Sequence, residues 1–274
     1  MSKVTIQNLV STMNSTVPEL FKRMNLKNDA IFVNQTDEHS FKEHTIDQHR
    51  VEEYSFKEKG VGLSRNSALH RATADLCMVS DDDMVYVDNY LEIVGKAYAK
   101  YPDADMILFN IRIHDKEGVS EKSSYSGKIH YLNSLKYGTA TFTFKREPVE
   151  KHRLSFSLLF GGGAKYSNGE DNLFLWDCLK AGMKVYAYGE VIADVYNDES
   201  SWFTGYNEKF FRDRGALFQA LTANYSWFLI LQYIVRRKSD YEENFTAAEI
   251  FSFMKQGKRE YKTNQHLAFE KNKI

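Results

Sequence analysis

Cysteine is almost absent from this chain, since only Cys77 and Cys178 occur among its 274 residues. Cys77 lies in a predicted strand and Cys178 in a predicted helix, and both positions are typical of small buried apolar residues. Two isolated cysteines provide neither a disulfide framework nor the ligands of a structural zinc site. We therefore expect a protein that folds on its hydrophobic core, outside oxidising compartments.

An excess of charge of either sign is also absent. The chain has 36 lysines and arginines against 37 aspartates and glutamates, for a formal net charge of -1. Binding to nucleic acid in bulk requires a basic surface, so we expect no nucleic-acid partner. With 43% hydrophobic and 27% charged residues the composition is that of a globular protein. The 14% of aromatic residues suit core packing and stacking on rings of bases or sugars.

The chain lacks a long uninterrupted apolar run. Its N-terminus enters a strand pattern at once, so we expect no signal peptide. The most apolar segment, residues 216–235, is interrupted by Gln219, Thr222, Asn224 and Gln232. This pattern predicts a packed helix, with an interfacial helix as the alternative. In the alternative, the basic residues 236–238 that follow would contact an anionic membrane surface.

Three consecutive carboxylates follow a short apolar run. Residues 76–79 are typical of a strand buried on both faces, and after Ser80 come Asp81, Asp82 and Asp83. In open α/β sheets, ligands bind at the carboxyl ends of the strands. Three like charges there indicate either a solvated acidic turn or a site for a hard cation such as magnesium or manganese.

The rest of the first half predicts an α/β fold with a parallel βαβ beginning. The predicted elements are a strand at residues 4–10, a helix at 17–24 and strands at 30–33 and 52–56. The segment 38–50 carries His39, His44 and His49, whose spacing fits no helical metal-binding face, and we expect a loop there. A glycine-rich loop from Lys59 then opens a helix that runs to about Ala74, and this arrangement favours phosphate binding.

The second half is less regular in its strand pattern. Residues 139–144 alternate as an antiparallel strand does, and residues 183–188 form the last predicted strand. Between them, a helix begins at Glu170 and Asp171. Two acids at a helix start either complement the helix dipole or perform chemistry.

Taken in order, these segments resemble those of family 2 glycosyltransferases, inverting enzymes with a GT-A fold that use nucleotide sugars. The resemblance covers about residues 4–188. Residues 11–14 stand where that family has Pro-Thr-Tyr-Asn, and residues 59–69 resemble its Gly-x-Ser-x-x-Arg-Asn-x-Gly-Leu segment. Residues 80–83 resemble its Asp-x-Asp-Asp metal motif, and residues 169–171 its Glu-Asp element. The processive motif Gln-x-x-Arg-Trp is missing, which favours a non-processive enzyme of the bacterial polysaccharide type.

The resemblance implies a role for each matching residue. Asp171 would be the catalytic base, with Glu170 orienting it or binding acceptor hydroxyls. Asp83 and Asp81 would hold a divalent metal, Mn2+ or Mg2+. The implied donor-binding residues are Thr12, Asn14, Asp37, Gly62, Arg65, Asn66, Asp81 and Asp82. The sequence departs from the family at Ser80, which replaces an acid, and at residues 34–37, where Asp37 stands in for an acidic pair.

The implied enzyme is an inverting, metal-dependent glycosyltransferase of the hexosyltransferase type. It would move a sugar from a nucleotide-diphosphate sugar, expected to be a UDP-sugar, to a hydroxyl of a saccharide or lipid-linked saccharide acceptor in polysaccharide biosynthesis. A GT-A domain, a Rossmann-like mixed sheet flanked by helices, is expected at residues 1–195, with a helical C-terminal extension at 196–274. We expect a cytoplasmic location, with peripheral contact at the inner face of the membrane as an option, and the oligomeric state stays open.

Two other functions fit parts of the same pattern. Asp81-x-Asp83-x-Val85 also matches the nucleophile motif of haloacid-dehalogenase-type phosphatases, but that motif usually lies at a chain's first strand and here about 80 residues precede it. A non-catalytic module that binds sugar nucleotides is the third alternative. Product analysis distinguishes the three, because only a transferase releases a nucleotide diphosphate from a nucleotide sugar.

Overall fold

The structure is a computed structural model that describes residues 4–196 and 205–271. The strands in these ranges are β1 (Ile6–Met13), β2 (Asp29–Gln35), β3 (Ser40–Ile46), β4 (His49–Phe56), β5 (Leu76–Asp81), β6 (Met84–Tyr86), β7 (Met106–Asp115), β8 (Gly118–Glu121), β9 (Gly127–Lys128), β10 (Phe142–Lys145) and β11 (Val185–Tyr196). The helices are α1 (Val17–Arg23), α2 (Val61–Leu69), α3 (Tyr90–Lys100), α4 (Tyr131–Ser134), α5 (Arg146–Lys151), α6 (Glu170–Lys180), α7 (Glu208–Leu221), α8 (Ser226–Arg236) and α9 (Ala247–Lys271).

The strands form one mixed sheet of eleven strands within the described ranges. Its main path runs β3-β4-β2-β1-β5-β10-β7-β11-β6, with β8 paired to β7 and β9 to β11. The strands β4, β2, β1 and β5 are parallel neighbours, whereas β10 is antiparallel to both β5 and β7. The predicted α/β class is confirmed. The antiparallel strand predicted at residues 139–144 is present as Phe142–Lys145, whereas Thr139–Thr141 form a short 3-10 helix.

Successive side chains of the central strands enter two different hydrophobic clusters, because strand side chains alternate between the faces of a sheet. Val10 and Met78 pack on one face with helices α1 and α3. Leu9 and Val79 pack on the other face with α2, α5 and α6. Burial on both faces explains the continuous apolar runs of β2 and β5, whose polar residues lie at the ends.

Two predictions about secondary structure are wrong. The predicted histidine-bearing loop contains β3, an edge strand with mostly exposed residues, so the apolar alternation that marks a half-buried strand is missing. There His44 Nε2 lies 2.9 Å from Glu53 Oε2 on β4. The single helix predicted at residues 216–235 is two helices, α7 and α8, because the backbone is extended at Thr222 and turns before Ser226.

The chain divides into two compact units. The first comprises Met1–Phe156 and Phe174–Ser200 and contains the sheet. The second comprises Ser157–Leu173 and Ser201–Ile274 and contains helices α7 to α9. In the second unit α7 and α9 approach closely, since a Cβ at Gly215 would overlap the backbone of Met254 and one at Gly257 the backbone of Arg212. The domain boundary expected at residues 195 and 196 stays a prediction.

None of the helices in the described ranges is both long enough and apolar enough to cross a membrane.

Candidate active site

The polar ends of three parallel strands of the first unit lie side by side. Ser11 on β1 is in register with Val33 on β2 and with Asp81 on β5. After Asp81 the chain makes a two-residue turn through Asp82 and Asp83 into β6. The acidic triplet therefore lies at the carboxyl edge of the sheet, as the sequence predicts.

Asp82 is held by residues at the end of β1 and on α1. Thr12 Oγ1 donates a hydrogen bond of 2.5 Å to Asp82 Oδ2, and the Thr12 hydroxyl also lies 2.6 Å from Ser15 Oγ. The Arg23 guanidinium donates through Nη2 to the Asp82 carbonyl at 3.0 Å. These contacts fix the turn that carries the triplet, so two predicted donor-binding residues, Thr12 and Asp82, are in direct contact.

Asp81 is paired with Arg65 of α2. Arg65 Nη2 lies 2.7 Å from Asp81 Oδ1, and the Arg65 side chain is only 5% exposed. The guanidinium also lies over the Phe156 ring, with its Cζ 5.7 Å from the ring centroid. Helix α2 itself is attached to β1 by a hydrogen bond of 2.9 Å from Ser64 Oγ to Ser11 Oγ. The helix that follows the glycine-rich loop thus carries a fixed cation to the strand ends.

The surroundings of Asp83 disfavour the charged form of its carboxyl group. Loss of hydration, followed by the charges of Asp81 and Asp82, raises the pKa of Asp83 to about 6. Because the residue as a whole is exposed, we give more weight to the like charges than to burial. A bound cation relieves that repulsion, and carboxylate oxygens are the ligands that magnesium and manganese prefer.

The chemistry of these residues is compatible with a divalent cation, for which Asp83 would be the main ligand. Asp81 would be a weaker second ligand, because its Oδ1 already accepts from Arg65. In the described part of the chain, three or more acidic, histidine or cysteine side chains nowhere cluster in a way that could hold a metal ion. Such a cation would need further oxygen ligands from a bound diphosphate, which is the usual way magnesium is held at nucleotide sites.

Ser80, which stands where the related motif has an acid, is fully buried. Its hydroxyl accepts from Asn8 Nδ2 at 2.8 Å and lies 2.8 Å from the Tyr86 hydroxyl. Since strand side chains alternate, Ser80 points to the opposite face from Asp81. A carboxylate at this position would be an uncompensated charge in the core, so serine is the residue that the packing allows.

The four other predicted donor-binding residues lie around this edge, and they differ in their exposure and in their hydrogen bonds. Asn14 follows β1 in the left-handed region with φ 49°, a conformation that asparagine tolerates. Asp37 is exposed just beyond β2, and Gly62 is buried in the first turn of α2. Asn66 is occupied, because its amide donates to the Phe156 carbonyl at 2.8 Å and accepts from the Phe156 N–H at 2.7 Å.

The structure adds a polar cluster at the ends of β7 and β11 that the sequence did not reveal. Asp194 accepts from Arg112 Nη2 at 2.7 Å and lies 2.6 Å from His114 Nε2. The backbone N–H of Tyr196, two residues further along β11, donates to the Asp83 carbonyl at 3.1 Å. The cluster therefore adjoins the acidic turn. Asp194 lies about eighty residues from Arg112 and His114, and the last strand predicted from the sequence, at residues 183–188, ends before it.

The predicted catalytic pair belongs to the second unit. Glu170 is buried and Asp171 is half-buried in the first turn of α6, and Asp171 Oδ1 accepts from the Asn172 N–H at 2.6 Å. The preceding Gly169 has φ 112°, which a residue with a side chain rarely adopts. The sharp entry into α6 therefore depends on glycine.

Arg214 of α7 interacts electrostatically with Asp171. Burial lowers the pKa of Arg214, and the carboxylate of Asp171 opposes that shift, so the two groups interact electrostatically. The Arg214 guanidinium also lies over the Phe210 ring, 5.2 Å from its centroid. A neighbouring cation favours the ionised form of a carboxylate, and ionised is the form in which Asp171 could accept a proton.

Solved structures with this arrangement of strands and helices include those of TarS from S. aureus. The structure of TarS residues 1–349 in complex with UDP-GlcNAc aligns with a TM-score of 0.63 and 14% identity, over 90% of this chain and 77% of that one. The complex with UDP gives 0.59 and 14% over the same shares. Longer TarS gives 0.60 and 14%, over 90% of this chain and 46% of that one. The fold is the GT-A fold.

At this identity the similarity concerns the fold, and it confirms the predicted mixed sheet flanked by helices with a helical C-terminal extension. No protein-family model matches the sequence, and no curated protein matches it. Membership of family 2 in particular is therefore a proposal, as are the roles of the individual site residues.

Proposed function

We propose that this chain is a glycosyltransferase that moves a sugar from a nucleotide-diphosphate sugar to a hydroxyl group, as a member of family 2. The observation that carries the proposal is the acidic turn at the carboxyl edge of a GT-A sheet, fixed by Thr12 and Arg23 and faced by Arg65. Carboxylates and a buried guanidinium together provide what a diphosphate needs, namely cation binding and a fork of hydrogen-bond donors.

A UDP-sugar is the donor we propose, because the TarS structures that share this fold were determined with UDP-GlcNAc and UDP. The uridine and diphosphate would be bound by Thr12, Asn14, Asp37, Gly62, Arg65 and Asn66 together with Asp81 and Asp82. Asp83, with Asp81, would hold Mn2+ or Mg2+. When bound there, the cation would neutralise charge on the leaving diphosphate.

The reaction we propose is a single displacement with inversion. The oxygen of an acceptor hydroxyl attacks the anomeric carbon, the bond from that carbon to the diphosphate oxygen breaks, and the nucleotide diphosphate leaves with the bonding electrons. A hydroxyl has a pKa far above neutrality, so its proton must be removed during the attack. Asp171, which lies at the start of helix α6 and interacts electrostatically with Arg214, accepts that proton. Glu170 orients Asp171 or binds acceptor hydroxyls, and the acceptor is a saccharide or a lipid-linked saccharide.

Product analysis tests the proposal. The protein is incubated with UDP-sugars, manganese and a panel of saccharide acceptors, and the products are identified by mass spectrometry. We expect UDP and an acceptor heavier by one sugar. Asp171→Asn should lower the yield of both products by about two to four orders of magnitude, whereas Asp177→Asn should retain them, because Asp177 lies on the same helix but pairs with Lys180 at the surface.

Two other outcomes of this experiment would each support one of the alternative functions. Inorganic phosphate from phosphomonoesters, without UDP release, would indicate a haloacid-dehalogenase-type phosphatase. Binding of a UDP-sugar without turnover on any acceptor would indicate a sugar-nucleotide-binding module.

A further inference from the structure

Helix α8 of the second unit has an exposed apolar face, which we call the α8 stripe. The stripe consists of Trp227, Phe228, Leu231 and Val235, which are 40%, 57%, 55% and 78% exposed. At about 100° per residue these four positions fall within one arc of roughly 100° on the helix surface. The opposite side, with Ser226, Leu229 and Ile230, is buried. Single exposed apolar residues are ordinary, but a continuous stripe of large ones indicates a binding surface.

Helix α9 has a basic face, which we call the α9 stripe. It consists of Lys255, Arg259 and Lys262, whose spacing of four and three residues places them on one side of the helix. Among the described residues none of the three has an ion-pair partner. The acids of this part of α9 are engaged elsewhere, since Glu249 accepts from the Thr246 hydroxyl and Glu260 pairs with Arg212 on α7.

The two stripes adjoin at Trp227. Its ring stacks on Phe251 of α9 with the ring centroids 5.7 Å apart. Lys258, which lies between Lys255 and Arg259 along α9, has its Nζ 3.8 Å from the centre of the Trp227 ring and donates to Ser226 Oγ at 2.7 Å. One side of the second unit therefore presents large apolar side chains next to positive charges.

The basic run at residues 236–238 contributes less uncompensated positive charge than its sequence implies. Arg237 pairs with Asp240 at 2.7 Å and Lys238 with Glu242 at 3.3 Å, so two of its three charges are compensated. Apart from Arg236, the uncompensated charge beside the α8 stripe comes from α9, which lies about twenty residues further along the chain.

We propose that the α8 and α9 stripes together dock this protein on the surface of an anionic lipid leaflet. Such a leaflet has headgroups that attract lysine and arginine, and below them an apolar layer that accepts tryptophan, phenylalanine and leucine side chains. A second copy of the chain is a poorer occupant, because a two-fold contact would bring two basic stripes together. A dissolved polyanion would leave the apolar stripe exposed. The proposal does not depend on the proposed transferase activity.

Vesicle flotation tests the proposal with the whole chain. We expect the protein to float with vesicles of phosphatidylcholine that contain about one third phosphatidylserine, and not with pure phosphatidylcholine. Lys255→Gln/Arg259→Gln/Lys262→Gln should weaken partition by about 100-fold, the worth of three charges near such a surface. The matched control is Lys42→Gln/Lys116→Gln/Lys122→Gln, which removes three exposed charges from the first unit and should float like the wild type.

A second variant separates the apolar contribution. Phe228→Ser/Leu231→Ser changes two exposed side chains, so folding should survive, and circular dichroism checks this. We expect its remaining binding to be abolished by about 0.5 M salt, whereas wild-type binding persists in part.

Three results would overturn the proposal. The first is an absence of flotation with anionic vesicles at low salt. The second is equal loss of binding in the α9 variant and the matched control. The third is a dimer in light scattering that Phe228→Ser/Leu231→Ser converts to a monomer, since the stripe would then be a subunit interface.

Discussion

Replacement of Asp83 by asparagine should make the protein more stable and less able to bind its ligand. The pKa of Asp83 is raised to about 6 by lost hydration and by the charges of Asp81 and Asp82. Compared with the pKa of an ordinary aspartate near 3.9, this raised pKa corresponds to roughly 3 kcal/mol. Because the residue is exposed, solvent screens much of this, and we expect about 1 kcal/mol.

Proton binding at Asp83 determines whether the substitution raises or lowers the stability at a given pH. Between about pH 4 and pH 6 the folded protein binds a proton at Asp83 that the unfolded chain has released, so the contribution of this group to stability falls as the pH rises. Asparagine mimics the protonated form. The variant should therefore gain about 1 kcal/mol at about pH 8, or roughly 2–4 °C in the unfolding midpoint, and gain nothing near pH 4.

Thermal unfolding in the presence of a chelator measures this gain. Glu117→Gln, in an exposed hairpin turn of the first unit, makes the same change of charge and should leave the midpoint unchanged. With manganese and UDP at about one hundred times the dissociation constant, the wild type should gain about 2.7 kcal/mol that the variant lacks. A lower midpoint for Asp83→Asn at about pH 8 would refute the reasoning, since the carboxylate would then stabilise the fold.

Three further predictions follow from the same contacts. Asp171→Asn should lower transfer by about two to four orders of magnitude while the affinity for the UDP-sugar, measured by calorimetry, stays the same; lost donor affinity would assign Asp171 to the donor pocket. Arg65→Met should lower the free energy of unfolding in urea by about 2 kcal/mol, since Arg65 is buried and Asp81 about one third exposed. A double-mutant cycle with Asp81→Asn should show that the effects of the two substitutions are coupled and not additive. Ser80→Asp should destabilise by about 3 kcal/mol or more instead of adding a metal ligand, whereas Ser80→Ala should cost about 1 kcal/mol; a stable, metal-binding Ser80→Asp would show that this position faces the site.

The elements that the sequence predicts well are those buried on both faces. Strand β5 has an apolar run because helices cover both sides of the sheet, and its polar end marks the edge where a ligand can bind. Helix α6 was predictable from the glycine and acids at its start. Strand β3 was not, because an edge strand with exposed side chains needs no apolar period. The break between α7 and α8 was hidden by an apolar composition that fits one long helix equally well.

The contacts between residues of the candidate site could not be predicted from the sequence, because they depend on which strands and helices lie side by side. Arg65 and Asp81 were both assigned to the donor, but their ion pair requires that α2 lie beside the end of β5. The cluster of Arg112, His114 and Asp194 forms only because β7 and β11 are parallel neighbours. Side chains alternate between the two faces along β5, so the Ser80 side chain points into the core once the strand is known. This burial explains why the position holds a serine and no acid.

The proposed function requires that the acidic turn at the strand ends bind a nucleotide diphosphate through a divalent cation. Calorimetric titration of UDP-GlcNAc into the wild type and Asp83→Asn, each with manganese and with chelator, tests it most directly. We predict binding to the wild type with manganese and none in the other three titrations. Binding that is equally strong with chelator, or that Asp83→Asn leaves intact, would contradict the claim.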